Sequence, residues 1–322
     1  MREMVYIEGG RFLMGSDRHY PEEAPQHSVE VGSFFIDPMP VTNRQFSEFV
    51  AATGYVTVAE RPLNPADYPG AAPEMLAPGA LVFHKTAGPV NLRDMRNWWR
   101  WVPGASWRRP EGPESSIANR QAHPVVQVAY EDAEAYARWC GKELPTEAEW
   151  EFAARGGLEG AEFAWGDELS PGGRTMANIW RGEFPWQNLQ PAGSDRTSPV
   201  GAFPANGYGL RDMAGNVWQW TTDWFSQRHP ADDAAPCCGP AIARANPRGG
   251  PIEASYDPAQ PQVRIPRKVV KGGSFLCAAN YCRRYRPAAR HAQMIDSGMS
   301  HIGFRCIGRS SRTAEDSDGK SR

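Results

Sequence analysis

Apolar positions along the chain recur with two periods, and the helical one is the easier to place. Thr42 and Gln45 form a capping box ahead of a helix with Phe46, Phe49 and Val50 on one face, and Gly54 stops it. Glu131 to Cys140 repeats the pattern, with Ala133, Tyr136, Ala137 and Cys140 at i, i+3, i+4 and i+7 and Gly141 as terminator. That phase turns Cys140 toward the core as an inert buried thiol. Thr146 and Glu149 box the next helix, which ends at Gly156-Gly157. These last two helices read as scaffold.

Period two marks the strands. MVYIEGGRFLM, residues 4 to 14, reads as one strand, and HSVEVGSFFID, residues 27 to 37, as another. GGRFLM echoes GGSFLC at 272 to 277, which would set two strands in one sheet. In SHIGFRC, Ile302, Phe304 and Cys306 share one strand face, so Cys306 reads as core. Residues 56 to 122 break both periods with repeated prolines yet hold Trp98, Trp99, Trp101 and Trp107. A long loop rich in tryptophan is functional rather than disordered. Its rings either cap the core or line a cleft for an extended peptide.

Composition narrows the class. The 322 residues include 32 Gly and 29 Pro, 61 in all, above the usual share of roughly 12%. With 12 Trp, a large core can form despite many loops, so the expected fold is compact with little regular secondary structure. Residues 309–322, ending SRTAEDSDGKSR, read as a disordered polar tail. A net charge of -2 and a pI near 6.4 leave no electrostatic footprint for nucleic acid. No apolar run reaches the roughly 18 residues of a membrane span, and the start, MREMVYIEGGRF, lacks the apolar core of a secretory signal. Six cysteines, at 140, 237, 238, 277, 282 and 306, are too few for a disulfide scaffold at this size. A reducing cytoplasm is the expected setting.

The candidate chemistry lies in KGGSFLCAANYCRRYRPAARHAQMIDSGMSHIGFRC, Lys271 to Cys306. Cys277 and Cys282 are five residues apart, which sends side chains to opposite faces of a strand and about 140° apart on a helix. They converge only if Ala278-Ala279-Asn280-Tyr281 folds back as a turn, which Asn280 tolerates. Two thiols without a nearby histidine do not make a four-ligand zinc site. They suit Cu(I), a short-loop disulfide, or two unrelated buried thiols, and spacing leaves these open. Arginines 283, 284, 286 and 290 would favour a thiolate if they lie close. Adjacent Cys237 and Cys238 read as unbonded loop thiols.

The segment GGSFLC…YCRRYRPAAR…SHIGFRC resembles the active-site segment of formylglycine-generating enzymes, the sulfatase-modifying factor family. The likeness continues through HPVVQVAY (123–130), LPTEAEWEFAARGG (144–157), ANIWRGEFP (177–185) and NGYGLRDMAGNVWQW (206–220), in the family's order. It implies an α+β fold, a single compact domain of the sulfatase-modifying-factor type, C-type-lectin-like, over residues 1–308. It also implies oxidation, by Cu(I) and O2, of a cysteine in a Cys-x-Pro-x-Arg segment of an unfolded sulfatase to Cα-formylglycine. By the same resemblance Cys277 and Cys282 hold the copper, Ser274 helps position substrate or oxygen, and Trp218 forms a wall of the site. Two calcium sites are implied as well. One uses Asn178, Ile179 and an Asp whose ungapped position is Ala192, with Asp195 as substitute; the other uses Asp212, Gly215, Val217 and Gln219, the last replacing a usual Glu. Disulfides of secreted members fall at positions that here include Ala137, Ala154 and Pro287, so those bridges cannot form. The alternatives are a non-catalytic binding module of the same fold and an iron-dependent sulfoxide synthase, the latter lacking its His-x3-His-x-Glu spacing here. The intact cysteine pair discriminates for the oxidase.

Overall fold

The computed structural model describes residues 3–191, 195–229 and 243–309. In chain order the first half carries β1 (Val5–Ile7), β2 (Gly10–Met14), β3 (His27–Val31), β4 (Phe34–Ile36), α1 (Asn43–Thr53), α2 (Pro73–Leu76), β5 (Gly79–Phe83) and β6 (Trp99–Pro103). There follow α3 (Tyr130–Trp139), α4 (Glu147–Arg155), β7 (Trp218–Trp224), β8 (Arg244–Ala245), β9 (Arg267–Lys271), β10 (Arg290–Met294), β11 (Ile302–Gly303) and β12 (Ile307–Gly308). The central sheet has the order β10-β9-β7-β11, with β9 antiparallel to both neighbours and β11 parallel to β7. Two three-stranded sheets, β1-β4-β12 and β2-β3-β8, and the pair β5-β6 surround it. The arrangement is α+β, as the resemblance implies, and loop-rich, as composition predicts. Among the described residues no helix is long and apolar enough to cross a membrane.

The helix ends form as their sequence signals require. Thr42 Oγ1 accepts from Gln45 N at 3.3 Å and Gln45 Oε1 from Thr42 N at 2.9 Å, while Gly54 closes α1 at φ 68°. Thr146 and Glu149 make the same reciprocal bonds at the start of α4. Its residues are buried all round, acids included. Glu151 therefore meets Lys271 at 2.9 Å and Arg155 at 2.7 Å, and Glu147 meets Arg290 at 2.7 Å. Buried charges need such partners. The result fixes the end of β9, where the cysteine segment begins, against a rigid helix. α4 is thus more than scaffold, since it anchors that segment.

Several strand expectations need correction. Residues 4 to 14 break at Gly9 into β1 and β2, which join different sheets. A Cβ on Gly9 would lie 2.3 Å from the Val31 carbonyl, so only glycine lets the crossing backbone pass there. Residues 27 to 37 likewise divide at Gly32-Ser33 into β3 and β4. The echo of GGRFLM in GGSFLC has no structural counterpart, because β2 is a strand while Ser274 to Cys277 is a turn. Residues 56 to 122 contain the β5-β6 pair, and two of their tryptophans, Trp98 and Trp107, are fully buried. Ile302, Phe304 and Cys306 are all core, but only Ile302 lies in a strand. Cys140 sits at the C-cap of α3 and is half-buried rather than enclosed. Cys237, Cys238, Ala192 and residues 310–322 lie outside the described residues; Arg309 pairs with Glu143 and Glu149.

Candidate active site

β9 delivers the chain through Lys271 into Gly272 and Gly273, at φ 92° and 71°. A Cβ on Gly273 would lie 2.8 Å from the Arg284 carbonyl, and one on Gly272 3.0 Å from the Trp150 ring. Left-handed backbone and close approach both demand glycine. The chain then makes a first turn, Cys277 N donating to Ser274 O at 3.0 Å. A second turn follows at Ala278, whose carbonyl accepts from Tyr281 N and from Cys282 N at 2.8 Å. This is the fold-back that the five-residue spacing required. It brings the sulfurs of Cys277 and Cys282 to 3.2 Å in a buried setting.

The pair is electrostatically asymmetric. The Cys282 thiol is held down to about 6, chiefly by a hydrogen bond from Cys277 and then, against burial, by the Arg284 charge. Burial and the partner's negative charge push Cys277 well above the ordinary thiol range. One proton is therefore shared, with the charge on Cys282. Arg284 Nη1 lies 3.9 Å from Cys282 Sγ, and its guanidinium is held by Glu22 Oε1 and stacked on Tyr20 at 3.8 Å. The other arginines do not reach the sulfurs. Arg286 makes a bidentate pair with Glu23, Arg290 reaches Glu147, and Arg283 is directed to Glu162 at 3.6 Å.

Ser274 contributes through its backbone. Its N–H donates to Cys277 Sγ at 3.4 Å, while its buried hydroxyl accepts from Leu276 N at 3.2 Å and so stabilises the turn. Trp218, in β7, is buried in the same apolar cluster as both cysteines, and its ring lies 5.6 Å from that of His291. An aromatic group packs against the loop at Tyr281, which is itself partly exposed. Tyr281 stacks on Phe184 at 4.4 Å, and Trp98 meets both edge-on. Trp180 N donates to the Cys277 carbonyl at 3.0 Å, and Asn280 bonds Glu183 Oε2 at 2.9 Å. The residues that sequence reasoning missed are Tyr20, Glu22, Glu183 and Phe184. Only the acidic pair PEE, facing an arginine-rich segment in charge, offered a signal.

The two sulfurs are a donor set that fits Cu(I): soft, converging and low in number. At the Asp212–Gln219 set the residues are matched to a guanidinium rather than to calcium. Gln219 Oε1 accepts from Arg305 Nε at 2.6 Å and Trp150 Nε1 at 3.1 Å, and its amide donates to the Asp212 carbonyl at 2.7 Å. Arg305 Nη2 donates to the Arg211 and Asp212 carbonyls at 2.7 and 3.0 Å. The Asp212 carboxylate accepts from Gly201 N at 2.6 Å, and burial pushes its carboxyl up. A guanidinium already supplies the positive charge beside Asp212 and Gln219. At the other set, Ile179 O accepts from Gln190 at 2.9 Å and the Asn178 amide donates to Arg196 O at 2.9 Å, while Asp195 acts on the buried Arg196 charge. Among the described residues no three His, Cys, Asp or Glu side chains converge as metal ligands.

A family model described as the sulfatase-modifying factor enzyme 1-like domain matches residues 1–310. The chain is 56% identical over 308 residues to a Mycobacterium tuberculosis protein named formylglycine-generating enzyme, covering 95% of this chain and 98% of that one. It is 41% identical over 307 residues to a Bos taurus protein of the same name, covering 94% and 74%. A Mus musculus protein named inactive C-alpha-formylglycine-generating enzyme 2 is 37% identical, covering 97% and 88%. Among solved structures, PvdO from Pseudomonas aeruginosa superposes with a TM-score of 0.56 at 22% identity, over 95% of this chain and 94% of that one. That likeness concerns the fold alone.

Proposed function

Because the chain belongs to the sulfatase-modifying factor enzyme 1-like family over residues 1–310, we propose that it converts a cysteine of a sulfatase to Cα-formylglycine. The observation that carries this reading is the Cys277–Cys282 pair, two buried sulfurs 3.2 Å apart. A relative named inactive retains 37% identity, so likeness along the chain does not by itself carry activity. The substrate is an unfolded sulfatase or a peptide presenting Cys-x-Pro-x-Arg. In the overall reaction the client Cβ loses two electrons. O2 takes these and two more from an external donor, and sulfide and water leave as the aldehyde forms.

Cu(I) bound by the two sulfurs supplies the O2 chemistry. The chain's own residues prepare that site. Cys282 enters as the thiolate, stabilised by the Cys277 hydrogen bond and the Arg284 charge. Cys277 keeps the remaining proton until a second anionic sulfur is needed. The Ser274 N–H and the turn fix the direction of Cys277 Sγ. Tyr281, Phe184 and Trp98 pack together beside the exposed tip of the loop, and Trp218 closes the apolar side around the two sulfurs. Keeping both thiols reduced suits the cytoplasm.

The test is mass spectrometry of a Cys-x-Pro-x-Arg peptide incubated with the copper-loaded enzyme, O2 and a thiol reductant. The wild type is expected to form the aldehyde. Cys277→Ser and Cys282→Ser should each abolish it, with an unchanged melting temperature, because a hard hydroxyl oxygen is a poor ligand for Cu(I). Full activity in either variant would remove the pair from the reaction.

A further inference from the structure

The Glu147–Arg290 ion pair is made by one hydrogen bond where the two side chains could share two. Arg290 Nη2 donates to Glu147 Oε2 at 2.7 Å, and Nη1 donates to the Glu22 and Ser226 carbonyls at 3.2 and 3.1 Å. The remaining guanidinium donor, Nε, and the second carboxylate oxygen, Oε1, have no hydrogen-bond partner among the described residues. Oε1 has only a charge contact, with Lys271 Nζ at 3.5 Å. The same holds for His229, whose Nε2 has no hydrogen bond. Glu147, Arg290 and His229 are 3%, 1% and 5% exposed, and all three line one cavity of about 30 Å³. It lies between α4, the start of β10 and the segment that follows β7. Buried donors and acceptors are satisfied in folded proteins, by ordered water where the protein does not supply the partner.

We infer that this cavity is a binding site for a structural water molecule, which accepts from Arg290 Nε, donates to Glu147 Oε1 and takes His229 Nε2 as its third partner. A water needs roughly 10–15 Å³ of such space and two to four polar partners, and both conditions are met. Charge selects against ions. The wall carries both signs, with Arg290, Arg244 and Arg248 facing Glu147 and Asp223, so an anion meets a carboxylate and a cation meets a guanidinium at short range. A neutral molecule that both donates and accepts suits such a wall. The protonation states agree. Burial raises the Glu147 carboxyl, but the Arg290 and Lys271 charges outweigh it and hold the group below its usual range, so Oε1 is an acceptor. Burial, then the Arg290 charge, lowers His229 to about 3, so its ring is neutral at pH 7 and Nε2 donates or accepts according to the tautomer.

The water completes a network that backs the cysteine segment. Glu147 stands on α4, which also holds Lys271 through Glu151 at 2.9 Å, and Lys271 is the last residue of β9 before the loop. His229 belongs to another part of the chain, tied by its N–H to the Ala24 carbonyl at 3.0 Å and by its ring to that of His27 at 4.8 Å. One molecule therefore joins α4, β10 and the segment after β7, which make no direct side-chain hydrogen bond to His229 Nε2. The site does not rest on the activity proposed above, because none of its residues belongs to the Cys277–Cys282 loop.

The experiment is a crystal structure of the full chain with sodium bromide as the only added salt. Electron density for a water is expected within hydrogen-bond distance of Arg290 Nε, Glu147 Oε1 and His229 Nε2, with no anomalous signal. An anomalous peak there would make the site an anion site and overturn the assignment. So would an empty cavity, or a guanidinium turned so that Nε reaches Glu147 Oε1 directly. In solution, nitrogen-15-labelled wild type, which needs no variant to fold, should show a nuclear Overhauser effect between a long-lived water and Arg290 Hε. His229→Phe removes the third partner and fills part of the space, so that signal should be lost while Arg290 Nη2 stays paired with Glu147. A signal of unchanged size in His229→Phe would overturn His229 as a partner of the water.

Discussion

Replacing Arg284 with Met keeps the length of the side chain and removes the one cation that touches the cysteine pair among the described residues. The guanidinium lies 3.9 Å from Cys282 Sγ. At an effective dielectric near 20, a unit charge at that distance stabilises a thiolate by about 4 kcal/mol. Glu22, bonded to the far side of the same guanidinium, returns part of this with opposite sign. A remainder of roughly 1–3 kcal/mol corresponds to about one to two pH units, at 1.36 kcal/mol each. The thiolate midpoint, about 6 in the wild type, should therefore rise to about 7–8 in Arg284→Met. The rate of Cys282 alkylation against pH, followed by peptide mass spectrometry on metal-free protein without O2, reads this midpoint directly. Arg284→Lys should fall between the two, since an ammonium keeps the charge but not the fork that Glu22 grips. Cys277→Ala should raise the midpoint more than either, because the Cys277 hydrogen bond is the largest single influence on Cys282. A midpoint in Arg284→Met that stays near 6, or falls, would refute the electrostatic account of the pair.

Two further perturbations probe what surrounds the site. Glu23→Gln leaves the fully buried Arg286 guanidinium without its carboxylate, so unfolding by urea should show a loss of about 3–5 kcal/mol; a loss under about 1 kcal/mol would mean the pair contributes little. Asp212→Asn should leave the response of the melting temperature to EDTA and added calcium the same as in the wild type, because Arg305 and Gln219 already satisfy the oxygens that calcium would need at that set. Loss in that variant of a calcium response of several degrees shown by the wild type would overturn that reading, since an ion held at 100 times its Kd contributes about 2.7 kcal/mol.

What was legible in the sequence was local. Both capping boxes and the turn between Cys277 and Cys282 are decided within five residues, so spacing and residue type sufficed. The sheet pairings are not local, and a single apolar stretch such as residues 4 to 14 carries no mark of joining two sheets except Gly9-Gly10. The same holds for the site. Arg284 was visible as a cation near the thiols, but which arginine reaches sulfur depends on Glu22, 262 residues away, and on Tyr20. Arg286 and Arg290 looked equivalent to it and are instead neutralised by Glu23 and Glu147.

Gln219 extends this argument from position to charge. Read alone, a glutamine in place of a carboxylate means a weaker calcium site. In the fold, its carbonyl oxygen faces a guanidinium at 2.6 Å and its amide faces the Asp212 carbonyl at 2.7 Å. A carboxylate there could accept from Arg305 but could not donate to Asp212, and the carbonyl would rely on Arg305 alone. The glutamine is therefore matched to a cation that the chain carries itself. Burial lowers the Arg305 guanidinium to about 10, so it still holds its proton at neutral pH and bridges Asp37, Arg211 and Asp212. That bridge joins the segment before β7 to the one between β11 and β12. A divalent ion held by the same oxygens would have to displace a buried guanidinium or sit beside it, and like charge at that range is strongly unfavourable.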